Sequence, residues 1–181
     1  MNMHKKLYRH NQWHNPMPDS WNNVAQAAPS SCCNANITVS HPCTKIEVKD
    51  YGQRPLVINI DQATKHNQNY RTALWTGKYF QVTLMSIRVG EDIGLEVHPT
   101  TDQFIRIEEG QGLVQMGDEK DQLHFETMAC EDYAVIVPAG KWHNITNTGD
   151  IPLKVYVIYA PPEHPYGTVH ETKDIAMAAE K

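Results

Sequence analysis

Short β-type runs dominate the chain from residue 54 onward. They are "PLVINI", "KYFQVTLMSIRV", "QFIRIEEG", "GLVQM", "YAVIVPAG", "HNITNTG" and "LKVYVIYA". Gly, Pro, Asp and Asn separate the runs, so that a new strand begins about every 8–12 residues. "RTALWTGKYF", residues 71–80, predicts a hairpin, and "HETKDIAMAAEK", residues 170–181, has a helical pattern. Regularly spaced short strands without intervening helices predict an all-β barrel or sandwich, here with a short C-terminal helix.

The first 53 residues have a different texture. They are rich in Asn, His, Pro, Ser and Cys, and they show little apolar periodicity. Tyr8, Trp13 and Trp21 favour some packing over full disorder, and "NITVSHPC" and "TKIEVKD" each fit a short strand. We therefore predict a mostly irregular N-terminal arm at residues 1–53 and a β-barrel with a C-terminal tail at residues 54–181.

Charge and hydropathy exclude several classes of partner. The chain has 181 residues, a formal net charge of −5 and a pI near 6.0, whereas nucleic acids and anionic membrane surfaces require a concentrated basic face. No stretch approaches the roughly 18 apolar residues of a membrane span. "MNMHKKLYRHNQWHN" lacks the apolar segment of a signal peptide. We expect a cytoplasmic protein whose partner is a small molecule.

The cysteines give little indication of a metal cluster. They are Cys32, Cys33, Cys43 and Cys130. The first three, with His41, fit no standard zinc spacing, because adjacent cysteines cannot easily face one tetrahedral ion. We expect free thiols, as is usual in a reducing compartment.

Polar and apolar residues alternate unusually in "GEDIGLEVHPTTDQFIRIEEG", residues 90–110. The stretch is either a solvated surface loop or a row of metal ligands along a strand. Strand alternation makes Glu96 and His98 point the same way. If Gln103 also faces inward, Ile105 and Ile107 follow it, and Phe104, Arg106 and Glu108 face outward. That register buries two isoleucines and favours three converging ligands.

A second stretch supplies a fourth group. In "VPAGKWHNITN", residues 137–147, Pro138 and Gly140 form a turn that brings His143 onto the next strand. A neutral imidazole at such a position can bind a divalent metal ion.

These residues resemble the two motifs of the cupins. The first motif is filled here by Gly90, Glu96, His98, Gln103 and Gly110, and the second by Pro138, Gly140, His143 and Asn147, with Asp132 where a leading Gly is usual. The resemblance covers roughly residues 80–160 and implies a double-stranded β-helix, the cupin jelly roll. Two departures stand out: Glu96 replaces the usual first His, and Gln103 replaces the usual Glu.

The resemblance implies one divalent metal ion, Zn²⁺, Mn²⁺, Fe²⁺ or Ni²⁺, bound by Glu96, His98, Gln103 and His143. The exchange of acid and imidazole keeps a ligand charge of −1, which these ions accept. Gln is a weaker ligand than Glu, so the fourth position is loose or outside the coordination sphere. A metal-free pocket is the alternative.

Small single-domain cupins of this kind are similar to the mannose-6-phosphate isomerase-like group, which suggests a metal-dependent sugar or phosphosugar isomerase or epimerase. Such an enzyme needs an acid–base residue and, for a phosphosugar, a cationic clamp. The candidate catalytic residues are Glu96 and His124, with Glu91 as a further base. The candidate substrate-binding residues are Arg88, Lys141 and Trp142, with Arg71 as a further phosphate ligand.

Two other functions stay open. A site of two His and one carboxylate resembles that of oxygen-using non-haem iron enzymes, and a barrel of this kind also serves as a non-catalytic ligand-binding or sensing module. We expect a homodimer paired through sheet edges. The stretch "YAPPEHPYGTVHETK", residues 159–173, either covers a sheet edge or a dimer seam, which we favour, or folds back over the barrel mouth with His164, Tyr166 and His170.

Overall fold

The computed structural model describes residues 46–179. The predicted arm lies largely outside this range, together with Cys32, Cys33, Cys43 and His41, and its boundary at residue 53 stays a prediction. The elements, in chain order, are α1 (Ile60–His66), β1 (Arg71–Thr76), β2 (Gln81–Ile87), β3 (Asp102–Glu109), β4 (Gln111–Gly117), β5 (Phe125–Cys130), β6 (Ala134–Val137), β7 (Trp142–Asn147), β8 (Leu153–Ala160), β9 (Val169–His170) and α2 (Lys173–Ala179).

The strands form two antiparallel sheets. One has six strands in the order β6-β3-β8-β2-β1-β9, and the other has three in the order β5-β4-β7. Buried aliphatic side chains from both sheets, among them Ile105, Val114, Ile145 and Val157, form the main core. The predicted all-β jelly roll is confirmed, and so is the hairpin at residues 71–80, since β1 pairs with β2. No helix in the described range is long and apolar enough to cross a membrane.

A second apolar layer covers the outer face of the six-stranded sheet. Ala63, Leu74 and Leu84 form its buried centre. Ile46, Val48, Tyr51, Ile58, Ile60, Val82 and Tyr156 pack against this centre. The six-stranded sheet is therefore buried on both faces around β1, whose first four residues are all buried.

The predicted strand "PLVINI" is wrong: residues 55–59 contain no strand, and α1 begins at Ile60. Asn59 caps this helix, because its side-chain oxygen accepts a hydrogen bond from the Gln62 backbone N–H at 3.0 Å. Asp61 lies in the first turn and Lys65 in the last, which suits the helix dipole. The capping residue therefore outweighs the β propensity of the preceding aliphatic residues.

The register predicted for β3 is correct with one exception. Gln103, Ile105 and Ile107 are buried on the inner face. Glu108, expected to be exposed, is also buried. A bulge lies between Ile107 and Glu109 in the pairing with β8, and helix α1 contacts β3.

The end of the described chain closes the sheet edge. β9 pairs with β1, which would otherwise be an edge strand. The short C-terminal helix is confirmed as α2, whose Ala176 is fully buried in the main core. β5, by contrast, is a strand that the sequence pattern did not predict, because most of its residues are exposed.

Candidate metal centre

The two motif segments lie side by side, and backbone hydrogen bonds hold them in register. Glu96 and His143 exchange two such bonds, with N···O distances of 3.1 and 2.9 Å. Farther along, the Gly140 N–H donates to the His98 carbonyl at 2.8 Å. The predicted strand at Glu96 and His98 is therefore a loop, which forms isolated bridges to β7 at Asp92 and at Glu96. This pairing brings residues from distant parts of the sequence to one point.

Tight turns at the motif positions need an unusual backbone. Gly110 has a φ of 88°, and a Cβ there would lie 3.2 Å from the Leu153 Cα. Asp132, at the position of the usual leading Gly, has a φ of 72° and is the one non-glycine residue with a positive φ in the described range. Asp tolerates this conformation better than most residues. The departure from the motif therefore preserves the turn.

Glu96, His98 and His143 converge inside the barrel. Their ligand atoms all lie within 4.8 Å of one another. The Nε2 atoms of His98 and His143 lie 3.2 and 3.3 Å from the same Glu96 Oε1 atom. The His143 side chain is 1% exposed, that of His98 11% and that of Glu96 15%. Ligands about 2.0–2.2 Å from one ion are separated from each other by distances on the order of 3 Å, so the spacing fits a single ion.

The outer nitrogen of each imidazole has a partner. Nδ1 of His143 lies 2.9 Å from the Lys141 carbonyl oxygen, and Nδ1 of His98 lies 3.2 Å from Glu163 Oε1. Both acceptors favour the tautomer with the proton on Nδ1. The two Nε2 atoms are buried and lack a hydrogen-bond partner within residues 46–179. They are close to Glu96 without the alignment of a hydrogen bond, which suits lone pairs that face a common ion.

Gln103 reaches the same centre through its amide. Its Nε2 donates to Glu96 Oε1 at 3.4 Å. Its buried Oε1 has no hydrogen-bond partner in the described part of the chain. A ligand role through Oε1 therefore requires the amide to turn over, so the fourth position stays a prediction.

Charged neighbours set the protonation of the centre. Burial raises the pKa of the Glu96 carboxyl, but His143, His98 and Arg71 together outweigh burial and hold this pKa well below its usual range. Burial lowers the pKa of His98, but the Glu96 and Glu163 carboxylates outweigh it, so the pKa of this imidazole is raised. Arg71 is fully buried, with its guanidinium 4.0 Å from Glu96. A charged Glu96 is thus the stable form, as metal binding requires, whereas an ion must displace the proton that the raised pKa of His98 favours.

A polar cavity of about 490 Å³ opens beside these side chains. Its lining includes Glu96, His98, Glu163, His164, Thr168 and His170. Four of these residues belong to residues 161–170, which we name the mouth segment. The sequence left two positions open for this part of the chain, over the barrel mouth or along a sheet edge. The mouth segment takes both, since it lines the cavity and β9 covers the edge of β1.

The mouth segment also supplies a half-buried neutral imidazole. The His164 ring packs edge-on against Tyr159, with ring centroids 5.0 Å apart. Burial, reinforced by the positive charge of Arg71, lowers the pKa of His164 to about 3. Its buried Nε2 has no hydrogen-bond partner among the residues described.

Several predicted site residues lie away from this cavity. His124 is exposed and lines another cavity, of about 400 Å³, together with Lys141. The Lys141 side chain pairs with Asp118, and Trp142 lies next to His143 in β7, where neighbouring side chains face opposite sides. Neither catalysis by His124 nor substrate binding by Lys141 and Trp142 finds support in these positions.

The remaining predicted residues are also elsewhere. Arg88 is 69% exposed and lies 3.9 Å from Glu91, with which it forms a surface ion pair. Arg71 is not a surface phosphate clamp, because it is fully buried against Glu96. The sequence analysis did not single out Glu163. Its only signal was the density of His, Glu and Tyr in "EHPYGTVH".

Comparisons with known proteins identify the family of the chain and agree with its fold. Residues 83–159 match the model of the family described as "Cupin domain". The uncharacterised protein YrkC of Bacillus subtilis (strain 168) is 60% identical over 146 residues, which cover 81% of this chain and 78% of that protein. The crystal structure of BH2720 from Bacillus halodurans is 65% identical, with a TM-score of 0.72, and the match covers 72% of this chain and 99% of that one.

A more distant structure matches in fold alone. It is an uncharacterised conserved protein with a double-stranded β-helix domain from Klebsiella pneumoniae subsp. pneumoniae MGH 78578, 17% identical with a TM-score of 0.50. The match covers 64% of this chain and 92% of that one.

Proposed function

The chain belongs to the cupin superfamily, and from that premise we propose that it is a metal-dependent isomerase. It binds one divalent ion, Zn²⁺, Mn²⁺, Fe²⁺ or Ni²⁺, through Glu96, His98 and His143, and it acts on a small hydroxylated carbonyl compound of the sugar type. One observation carries the proposal: two buried Nε2 atoms without hydrogen-bond partners among the described residues face the same carboxylate oxygen.

The bound ion would polarise a carbonyl and its neighbouring hydroxyl. The side chains around it supply the remaining needs of an isomerisation. In that reaction a proton leaves the carbon beside the carbonyl and returns to the carbonyl carbon, while the hydroxyl proton moves to the carbonyl oxygen. The cavity must therefore offer groups that accept and return protons.

His164 and His170 are the candidates for handling these protons, in place of His124 and Glu91. Both line the cavity. His164 stays neutral at physiological pH because its pKa is about 3, so it suits a hydrogen bond to a substrate oxygen better than proton uptake, and His170 is the candidate for accepting and returning the proton. Both carboxylate oxygens of Glu163 are already engaged, by His98 and by Thr101.

The lining of the cavity supports an unphosphorylated substrate. Its described lining residues include no Lys or Arg, whereas proteins usually bind a phosphate group through such cations. The likeness to the mannose-6-phosphate isomerase-like group therefore supports sugar isomerisation as the reaction. It gives less support to a sugar phosphate as the substrate.

A second candidate function is an oxygen-using iron enzyme. Two imidazoles and one carboxylate, with a cavity on one side, match the ligand set of non-haem iron oxygenases. A barrel that binds a small ligand without chemistry is the remaining alternative.

The decisive experiment combines metal analysis with solvent deuterium exchange. Protein purified without added metal is analysed by mass spectrometry and incubated with a panel of aldoses and ketoses in D₂O. We expect about one Zn, Mn, Fe or Ni per chain and deuterium beside the carbonyl of one sugar by NMR, both absent from the His143→Gln variant. Iron with oxygen consumption would support the oxygenase instead, and an unmetallated protein with an unaltered bound ligand would support the binding module.

We also propose that the protein is a homodimer. Phe125, Met128, Tyr133 and Ile136 are large apolar residues exposed on β5, on β6 and on the turn between them. β5 and β6 are edge strands of their sheets, so a second copy could cover them. Light scattering should give twice the chain mass and a lower mass for Ile136→Asp; a wild-type monomer would contradict the proposal.

A further inference from the structure

Glu163 connects the mouth segment to one of the proposed ligands. Its Oε1 lies 3.2 Å from Nδ1 of His98, and its Oε2 accepts a hydrogen bond from the Thr101 hydroxyl at 2.9 Å. Thr101 is 3% exposed. The carboxylate is therefore held on one side by a buried hydroxyl, and its other oxygen is directed at the imidazole.

The backbone next to Glu163 is also fixed. Gln81 is fully buried, and its side-chain amide forms hydrogen bonds with both the N–H and the carbonyl of His164. Its Oε1 accepts from the His164 N–H at 2.9 Å, and its Nε2 donates to the His164 carbonyl at 2.9 Å. Farther along the segment, the Gly167 N–H donates to the Asp50 carboxylate at 2.9 Å. Glu163 thus has a defined position although its side chain is 32% exposed.

The two imidazoles of the centre are oriented by different means. A backbone carbonyl, that of Lys141, faces Nδ1 of His143, so the orientation of this ring depends little on nearby side chains. The corresponding partner of His98 is a side chain from the mouth segment. A carboxylate in this position fixes the tautomer and raises the basicity of the other ring nitrogen.

We infer that Glu163 is a positioning residue that orients His98 for metal binding, which makes the mouth segment part of the metal centre. This inference rests on the proposed metal site. Neither motif contains Glu163, so the centre requires a residue that lies beyond the two motifs.

The test compares Glu163→Ala and Glu163→Gln with the wild-type chain. Zn²⁺ affinity is measured by competition with a chelator, and the His98 tautomer is measured in metal-free protein at alkaline pH by long-range ¹H–¹⁵N NMR. Removal of an outer partner typically weakens metal binding about 10–100-fold, and we expect a loss in this range for Glu163→Ala. Glu163→Gln keeps an acceptor oxygen, so it should restore much of the affinity and the Nδ1–H tautomer.

Glu171→Ala is the matched control, because it removes an exposed carboxylate next to the mouth segment. It should change neither readout. Wild-type affinity and an unchanged tautomer in Glu163→Ala would overturn the inference while the metal site remained. Absence of Zn²⁺ binding by the wild-type chain would instead refute the proposed function, and the tautomer of metal-free His98 would still test the role of Glu163.

Discussion

Glu96 and His143 are paired through their backbones and through their side chains. Two backbone hydrogen bonds of 3.1 and 2.9 Å join them, and the His143 Nε2 lies 3.3 Å from Glu96 Oε1. The backbone therefore sets the spacing of two ligand atoms before an ion binds. Such preorganisation lowers the cost of assembling the site.

We predict that His143→Gln abolishes tight metal binding. The substitution removes one imidazole from the centre while it approximately preserves side-chain volume. Loss of an outer partner costs about 10–100-fold, so loss of a ligand should weaken Zn²⁺ binding by about 100-fold or more in isothermal titration calorimetry. His124→Gln is the control, since it removes an exposed imidazole from the other cavity. Equal affinities for the two variants would show that His143 is not a ligand.

Gln103→Glu should have opposite effects with and without metal. A second carboxylate beside Glu96, which the Gln103 amide contacts at 3.4 Å, places two like charges together in the metal-free protein. We expect a lower melting temperature in chelator and a larger increase on addition of Mn²⁺, because an ion that binds only the folded state stabilises it. Identical shifts in variant and wild type would place residue 103 outside the site.

His164 should make the metal-free protein sensitive to acid. Its pKa is about 3 in the folded chain against 6.5 ordinarily, so between these values the unfolded state binds a proton that the folded state does not. The contribution of neutral His164 to the free energy of unfolding is therefore fully present above about pH 6.5. It is lost as the pH falls toward 3, by about 1.4 kcal/mol for each pKa unit at most. Urea unfolding at pH 7.5 and 4.5 should show a smaller difference for His164→Gln than for wild type. The exposed His66→Gln should resemble wild type.

Gln81→Ala should release the mouth segment. The variant loses both hydrogen bonds to the His164 backbone, and each unsatisfied buried group costs about 1–3 kcal/mol. Hydrogen exchange should accelerate in residues 161–170 more than in β8. Thr83→Val on the same strand is the control: the buried Thr83 hydroxyl has no hydrogen-bond partner within the described range, so its removal should leave exchange unchanged. If hydrogen exchange in Gln81→Ala accelerated equally in residues 161–170 and in β8, Gln81 would not be what holds the mouth segment.

Asp132→Gly should be neutral or slightly stabilising. Gly adopts a φ of 72° without the strain that a side chain brings, on the order of 1 kcal/mol. The variant loses the 2.5 Å contact between Asp132 and Arg106, but exposed pairs contribute only about 0.2–1 kcal/mol. Asp132→Ala loses the contact and keeps the strain, so it should be the less stable variant in chemical denaturation. The reverse order would indicate that the carboxylate matters more than the turn.

The local sequence was sufficient to predict an all-β barrel or sandwich, and the resemblance to the two cupin motifs implied the jelly roll and the convergence of Glu96, His98 and His143. Alternation along β3 correctly buries Gln103 and Ile105, because a strand with one face in a core must repeat every two residues. The spacing of the two motifs predicted that their ligand residues come together, since this spacing reflects the backbone pairing between the two segments.

What the pattern missed depends on contacts between distant residues. β5 is largely exposed, so hydrophobic alternation gave no signal for it. Glu108 is buried by its place in the fold, next to a bulge in β3. Glu163 reaches His98 only because Gln81, Asp50 and β9 fold the chain back over the mouth. The local sequence pattern does not predict that the chain folds back over the barrel mouth, because this path depends on contacts between residues distant in sequence.

The apolar layer on the outer face of the six-stranded sheet bears on where an independently folding fragment can begin. Ile46, Val48 and Tyr51 pack against Leu74 and its neighbours there, and the Tyr51 N–H donates to the Leu74 carbonyl at 2.8 Å. A fragment cut at residue 54 would leave part of this face open to water and to other chains. The residues that precede the barrel thus act as a protective cover for a sheet surface that would otherwise promote aggregation.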